Sequence, residues 1–431
     1  MSKKEKKVKN NLVDQAIYDS YKDAIPESEI WTYQVEGLQK PLINKTVDNA
    51  GRKKVFITVV LAIAVAISIF FSFYILHNDP FKYTVFENGK TELTRFSNPG
   101  EIFELRIDNL VTDVQSESYI VTNEAGENER HLKYSLVTDE ATPISAIHEY
   151  AFNCDERIRR IEIGASVTDI DDKAFYSCYA LQEIRVDKDN PNYMDIDGVL
   201  FTKDGTRLIC YPIDHDAYLR TKYGYEGQYW PTENWKKEGK DKYNEYYTPQ
   251  YEQEVNTYVV PSSVKEIGPL AMNYSDLFTI YLPEGLEKLE TMAIFRNWHL
   301  ERVDTYTGDY AGETDAADKF IPAAAEIKAS LPDSLTYIGS DCFNSAIEMD
   351  YMYIPAGVTY IGHHAFWGAA RKENGELIGI YEIYAALDQG TFKAMVDAGD
   401  QWTGEYDNGL LPKAVPVLYG ETRAPYGEGT K

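Results

Sequence analysis

The sequence predicts a solenoid of short strands and short helical turns, held at a membrane by one apolar helix. Two observations carry this expectation. Apolar residues recur with a period of 22 or 23 along residues 141–384, and a fixed period of that length marks stacked repeats. Upstream, Val55 to Leu76 is a run of 22 residues without a charge.

The period is read from aligned positions. Ile147 and Ile170 lie 23 residues apart, Ile267 and Leu289 22, and Ile338 and Ile361 23. Phe152 and Phe175 are 23 apart, as are Phe343 and Phe366, and six copies can be counted. In the copy Ala165 to Val186 the apolar set is Val167, Ile170, Ala174, Phe175, Leu181, Ile184 and Val186. Burying seven such side chains contributes roughly 10–20 kcal/mol. Ordering about 23 residues costs on the order of 25–45 kcal/mol. One copy therefore cannot fold alone, and stability must come from neighbours that share a core and pair their strands. The alternation in Gln182 to Val186 reads as a short strand. Asp171-Asp172-Lys173 ahead of Ala174-Phe175 reads as a short helical turn.

Val167, Ile170, Ala174, Phe175, Cys178, Leu181, Ile184 and Val186 resemble the BspA-type (Treponema-type) leucine-rich repeats of bacterial surface proteins. The run from Asn190 to Pro212, NPNYMDIDGVLFTKDGTRLICYP, is similar to a second motif of that family. The resemblance covers residues 134–420 with interruptions. It implies an α/β leucine-rich-repeat solenoid of short parallel strands and short helical turns, and an exposed role in binding. It implies no chemistry.

Taken in order, residues 1–54 are expected to be a largely disordered cytoplasmic tail with 11 Lys/Arg and 8 Asp/Glu. Residues 55–76 are long enough as a helix, about 33 Å, to cross a bilayer. Arg52-Lys53-Lys54 flank their start, which puts the N-terminus in the cytoplasm and the repeats outside. With 54 residues ahead of it and no small-x-small site after it, the segment reads as an uncleaved anchor. Residues 77–140 read as a β-rich juxtamembrane region, a small domain or stalk. It includes a hairpin about Asn88-Gly89, where a two-residue type I′ turn is expected.

Residues 141–212 hold repeats one and two and a second hairpin, Val199 to Tyr211, turning at Lys203 to Thr206. Residues 213–257 are an insertion with ten Tyr and Trp, and its aliphatics are too few for a core of its own. Such rings suit a ligand surface, with Tyr229, Trp230, Trp235, Tyr246 and Tyr247 as candidates, or else cover apolar edges of the stack. Residues 258–304 hold repeats three and four. Residues 305–330 form another insertion, with an Ala-rich helical piece about Ala316 to Ala329. Repeats five and six occupy 331–384. Residues 385–431 form a C-terminal cap and tail, with a helix about Thr391 to Asp397 and a strand from Val415 to Gly420.

Beyond residue 76 the chain carries 32 basic and 61 acidic residues. That surplus argues against nucleic acid as a partner, because phosphates are met by Lys and Arg. The acids Asp187, Asp189, Asp195 and Asp197 fail the spacing of a calcium loop and read as turn carboxylates. Cys154, Cys178, Cys210 and Cys342 form no C-x-x-C pair, and small buried thiols are expected. Stacked rungs would also bring Cys154 within reach of Cys178, so a bridge there stays open. No catalytic, cofactor or metal motif is found. Three functions remain: a single-pass surface protein that binds an external protein or glycan, with lipid contacted only by its transmembrane helix; a structural envelope component without a ligand; and a surface enzyme built on a carboxylate pair beneath the insertion.

Overall fold

The computed structural model describes residues 81–86, 88, 90–97, 102–107, 115–122, 128–136, 143–152, 155–225, 249–312, 322–323, 326–346, 349, 351–366, 370–373, 376–379, 382–398 and 417–420. By its internal contacts the chain divides into Met1–Phe73 and Tyr74–Lys431, and every described residue lies in the second unit. The apolar run 55–76 is outside them. Among the described residues no helix is long and apolar enough to cross a membrane.

Each rung of the stack has three sides. On the first, two-residue strands pair in parallel, so that Ile147 lies beside Ile170, Ile267 beside Leu289, Leu289 beside Ile338 and Ile338 beside Ile361. On the second, longer strands pair in parallel: Arg160–Ile163 with Glu183–Val186, then Thr257–Val259 with Thr279–Pro283 and Arg302–Tyr306. On the third, the turns are linked as well. Phe152 N–H donates to Ala174 O at 3.1 Å, Met272 to Ala293 at 2.9 Å and Phe343 to Ala365 at 2.7 Å. The turns close by i→i+3 bonds, such as Ala174 N–H to Asp171 O at 2.9 Å, and do not grow into longer helices. Left-handed residues interrupt them, among them Leu270, Tyr274, Met292 and Arg296.

The periodic apolar residues fill the space between the sides. Ile147, Phe152, Val167, Ile170, Phe175, Leu181 and Ile184 are buried, as are Ile267, Leu289, Ile338, Phe343, Ile361 and Phe366. Phe152 and Phe175 stack at 5.5 Å, and Phe343 and Phe366 at 5.6 Å.

The region 77–140 is β-rich but is not separate from the repeats. Thr91–Phe96 pairs in parallel with Ile144–Ile147, setting Leu93 beside Ile147. Ile102–Ile107 pairs in parallel with Arg160–Ile163, and the Phe96 ring lies 5.7 Å from Phe152. Residues 91–107 thus make a further rung, one whose Leu93 and Phe96 are too close in sequence to match the repeat. An antiparallel pairing finishes this end of each sheet: Phe81–Val85 on Thr91–Phe96, and Gln115–Thr122 on Asn128–Leu136. The first of these hairpins closes by Phe86 N–H to Lys90 O at 2.8 Å. Three residues, 87–89, lie between that pair, so the loop is longer than the two-residue turn expected from Asn88-Gly89.

The middle of the stack is a three-stranded insert, Tyr193–Ile196, Val199–Thr202 and Arg207–Cys210. Asp197 and Gly198 have φ of 50° and 84°, the type I′ signature, which the Asp-Gly pair supplies. Leu208 pairs in parallel with Ile267, so this insert starts the seven-stranded sheet that runs to Ile361. Its strands are buried on both faces. Leu200, Ile209 and Cys210 face the core of the first rungs, while Val199, Phe201 and Leu208 face the core of the later ones.

Two expectations about the insertions are corrected. The ends of 213–257 are ordered helices, His215–Tyr223 and Pro249–Val255, with a small core of Leu219, Tyr251 and Val255. Tyrosine rings supply what the scarce aliphatics could not. In 305–330, Ile327–Lys328 is not helical but a strand, antiparallel to Arg302–Tyr306. There Ile327 packs on Val259, Tyr281 and Tyr306, while most of the Ala-rich piece, 313–321 and 324–325, lies outside the described residues. At the other end, Gln389–Ala398 is helical and Val417–Tyr419 extends the sheet beside Glu382–Ala385. The hairpin Ala370–Glu373 with Glu376–Gly379 had no counterpart in the sequence reading.

Phe175 stands 4% exposed in the ring column, so Phe175→Ala is expected to cost about 3–5 kcal/mol. Chemical denaturation measures it, and a loss below roughly 1 kcal/mol would place Phe175 outside the shared core.

Candidate functional site

The five aromatic candidates, Tyr229, Trp230, Trp235, Tyr246 and Tyr247, lie outside the described residues, as does Cys154. The base on which that insertion stands is described. The helix His215–Tyr223 ends at Gly224, whose left-handed φ of 80° lets the turn close on Thr221 O and Arg220 O. The helix Pro249–Val255 packs against it through Tyr251 and Val255. Tyr225 O–H reaches across to Glu254 at 2.5 Å.

A polar cluster sits beneath these helices. Asp214 N–H donates to Leu181 O at 2.9 Å, and Gln182 Nε2 donates to the Asp214 carboxylate at 2.9 Å. Arg220 Nη1 donates to Asp216 at 2.6 Å. The two carboxyl groups influence each other's protons, and Arg220 also meets the Tyr251 hydroxyl. Burial, then the neighbouring Asp216, pushes Asp214 up to about 8. Burial raises Asp216 too, against the pull of Arg220. This is the carboxylate pair that an enzyme beneath the insertion would use. Glycosidic chemistry needs two carboxyls about 5–10 Å apart and open to sugar and water, whereas Asp214 is engaged by Gln182 and Asp216 by Arg220. The nearby hollow lined by Asp197, His215, Tyr258 and Tyr310 has about 20 Å³, room for a water.

The acids of the Asn190 to Pro212 run are held by the fold. Asp187 accepts from Asp189 N–H at 2.9 Å. Asp195 accepts from Val186 N–H at 2.8 Å and from Arg185 at 3.1 Å. Asp197 accepts from the Tyr218 hydroxyl and Lys222, both at 2.8 Å. Among the described residues no group of three His, Cys, Asp or Glu is placed to hold a metal. The thiols of Cys178, Cys210 and Cys342 are buried, and Cys178 Sγ lies 3.1 Å from Phe152 O. Burial pushes the Cys210 thiol up to about 12, which makes it a poor nucleophile.

The turn side of the stack carries a surface that sequence reasoning missed. Tyr150, Tyr179 and Trp298 are 41%, 44% and 46% exposed, large values for rings beside a closed core. They belong to two groups of touching rings. Tyr150 meets Tyr176 edge-on at 5.9 Å. Tyr179 meets Tyr274 at 5.5 Å, and Tyr274 meets Trp298 at 5.9 Å, both edge-on. Cations lie over the rings, Lys173 5.5 Å from the centre of Tyr150 and Arg296 5.5 Å from that of Tyr274. A signal was present: Tyr179 and Trp298 each stand four residues past the core residue of their turn, Phe175 and Ile294, at a position the repeat does not fill with a core side chain.

Parallel rungs, a shared core and a turn ladder define a leucine-rich-repeat solenoid. The family model described as the BspA type leucine rich repeat region matches residues 133–203 and 246–373, in six copies. The repeats over those residues are of the BspA leucine-rich type. No curated protein matches the chain. Among solved structures it is similar to a leucine-rich repeat protein from Eubacterium ventriosum, at 14% identity over 66% of this chain and 77% of that one, with a TM-score of 0.34. It is also similar to a leucine rich cell surface protein from Faecalibacterium prausnitzii, at 14% identity over 80% and 94%, with a TM-score of 0.34. The pneumococcal vaccine antigen PcpA is 16% identical over 80% and 98%, with a TM-score of 0.32.

Asp214 makes stability depend on pH. Folded, it keeps its proton to about pH 8; unfolded, a carboxyl releases it near 3.9. The folded state therefore binds the proton more tightly. The stabilisation this gives is complete below the unfolded value and is lost as pH rises through the folded one. Asp214→Asn keeps an acceptor for Gln182 and carries no charge. It is expected to raise the melting temperature at about pH 9 relative to the parent chain, with a much smaller difference at about pH 5. Melting curves at the two pH values check this, and an equal shift at both would show that Asp214 carries no shifted proton.

Proposed function

We propose that this chain is a single-pass membrane-anchored surface protein, N-terminus in the cytoplasm and repeats outside, whose solenoid binds an external protein or glycan. Its repeats belong to a family of surface-protein repeats, which favours adhesion or recognition. The observation that carries the binding role is the exposed, cation-flanked aromatic surface on the turn side. A core-forming repeat has no need of exposed rings there. The anchor rests on the uncharged run 55–76 and on Arg52-Lys53-Lys54 before it. Asp214 and Asp216 lend a catalytic role no support, being engaged by Gln182 and Arg220.

Protease added to intact cells is expected to remove residues beyond about position 80 and to spare the first 50 or so. Protection of the repeats would reverse the topology. The aromatic insertion is tested by a deletion confined to 227–247. Removing all of 213–257 would strip away Leu219, Tyr251 and Val255 and the helices beneath. The shorter deletion, bridged by Gly and Ser, is expected to leave cooperative unfolding intact and to lower recovery of an external protein or glycan in pull-downs with the full chain. Unchanged recovery would free Tyr229, Trp230 and Trp235 from any part in binding, and loss of cooperative unfolding would make them core cover.

A further inference from the structure

Arg296 is out of keeping with its surroundings. Beyond residue 76 acids outnumber bases by 61 to 32. Arg160, Arg185, Arg207, Arg220 and Arg302 hold carboxylates, while Arg159 lies over the Phe103 ring. Arg296 instead lies over the rings of Tyr274 and Phe295, 5.5 and 5.0 Å from their centres, and donates from Nη1 to the Tyr274 hydroxyl at 2.6 Å. No carboxylate among the described residues pairs with it. A guanidinium has five N–H donors, so most remain for an incoming anion. Beside it stand the exposed faces of Tyr179 and Trp298, fixed by their edge contacts with Tyr274. The backbone beneath is already occupied: Tyr274 N–H donates to Phe295 O at 2.9 Å and Arg296 N–H to Asn344 O at 2.8 Å. No open strand edge is offered there, which disfavours a peptide added as a strand.

Flat exposed rings, phenol hydroxyls and one guanidinium without an acid suit a ligand with apolar faces, many hydroxyls and a negative charge. We propose that Tyr179, Tyr274, Arg296 and Trp298 form a binding surface for an acidic polysaccharide, its sugar faces on the rings and a carboxylate on Arg296. The inference rests on the reading of the chain as a surface-binding protein and names the ligand class and the residues. The acidic body opposes a polyanion at long range, so the acidic ligand is chosen at contact: one carboxylate on one guanidinium, where nucleic acid would need many phosphates met. A planar guanidinium binds a carboxylate through two parallel bonds.

The full chain in detergent micelles is titrated calorimetrically with oligosaccharides of hyaluronan and of polygalacturonate, and with neutral dextran oligosaccharides. Binding to at least one acidic probe is expected, with dextran about tenfold weaker or more. Trp298→Ala and Arg296→Gln are each expected to weaken the acidic probe about tenfold, and Arg296→Gln to abolish the preference over dextran. Both side chains are partly or largely exposed, and melting curves confirm that the variants fold. Absence of binding to both acidic probes by the folded parent chain overturns the proposal. So does binding unaffected by Arg296→Gln. Binding that survives both substitutions but is lost on deleting 227–247 puts the ligand on the insertion. That result overturns this surface while leaving the surface-binding reading in place.

Discussion

Because Val199, Leu200 and Phe201 are all buried, the strand that carries them has no solvent face, and the solenoid must supply a core on each side of it. The same holds for Leu208, Ile209 and Cys210. This double burial joins two half-stacks that would otherwise each end in an exposed apolar face. The joint is polar at its margins. Arg207 grips both oxygens of Asp172 in the rung before, at 2.6 and 2.9 Å, and Glu266 in the rung after. The Tyr193 hydroxyl accepts from Ile170 N–H at 2.8 Å, satisfying a donor at the edge of the first sheet.

Asn190 does the same for the neighbouring carbonyls. Its side-chain amide donates to Gly164 O and Val167 O, both at 2.8 Å, while its oxygen accepts from Asn192 and Tyr193 N–H. Buried as it is, that amide meets four backbone groups at the point where the regular ladder stops. The motif from Asn190 to Pro212 is therefore a structural joint, and its aspartates are bound to it. Close stacking continues through the later rungs. Gly339 lies against the backbone at Glu290 and Thr291, and Gly362 against that of Gly339 and Ser340, leaving no space for a Cβ at either.

Much of this could be read from the sequence because one side chain in three or four is committed to a shared column. Ile147 and Ile170, or Phe343 and Phe366, repeat at the period because each must lie over the last. The rung at 91–107 escaped because Leu93 and Phe96 reach the same columns, beside Ile147 and Phe152, through a shorter turn. The helices flanking 226–248 escaped because Leu219 and Val255 are joined in their core by tyrosines, a residue that reads equally as core or as surface. Asp214 and Asp216 escaped for a related reason. Carboxylates two apart at a helix start look like a solvated first turn, and only the packing of Gln182, Arg220 and Tyr251 around them reveals the burial. Of the candidate ligand residues on the insertion, none is among the described residues, and the exposed rings elsewhere are marked only by their place four residues past a core position.

The turn side differs from the two strand sides in what it leaves open. A strand position alternates between core and surface and must suit its neighbours across the sheet. A turn position two or four residues past the core aromatic answers to neither demand. Ser177, Tyr274, Arg296 and Ser345 occupy the first of these positions, all with φ between 56° and 65°. For residues with a Cβ that conformation costs on the order of 1–2 kcal/mol. At Tyr274 and Arg296 it is held by backbone bonds to the next turn, to Phe295 O and Asn344 O. Where Tyr274 and Arg296 stand, their direction is set in advance by the backbone, and little rotational freedom is left for a ligand to remove. The same stacking that stabilises the repeats therefore also presents those two side chains and the rings beside them as a rigid surface.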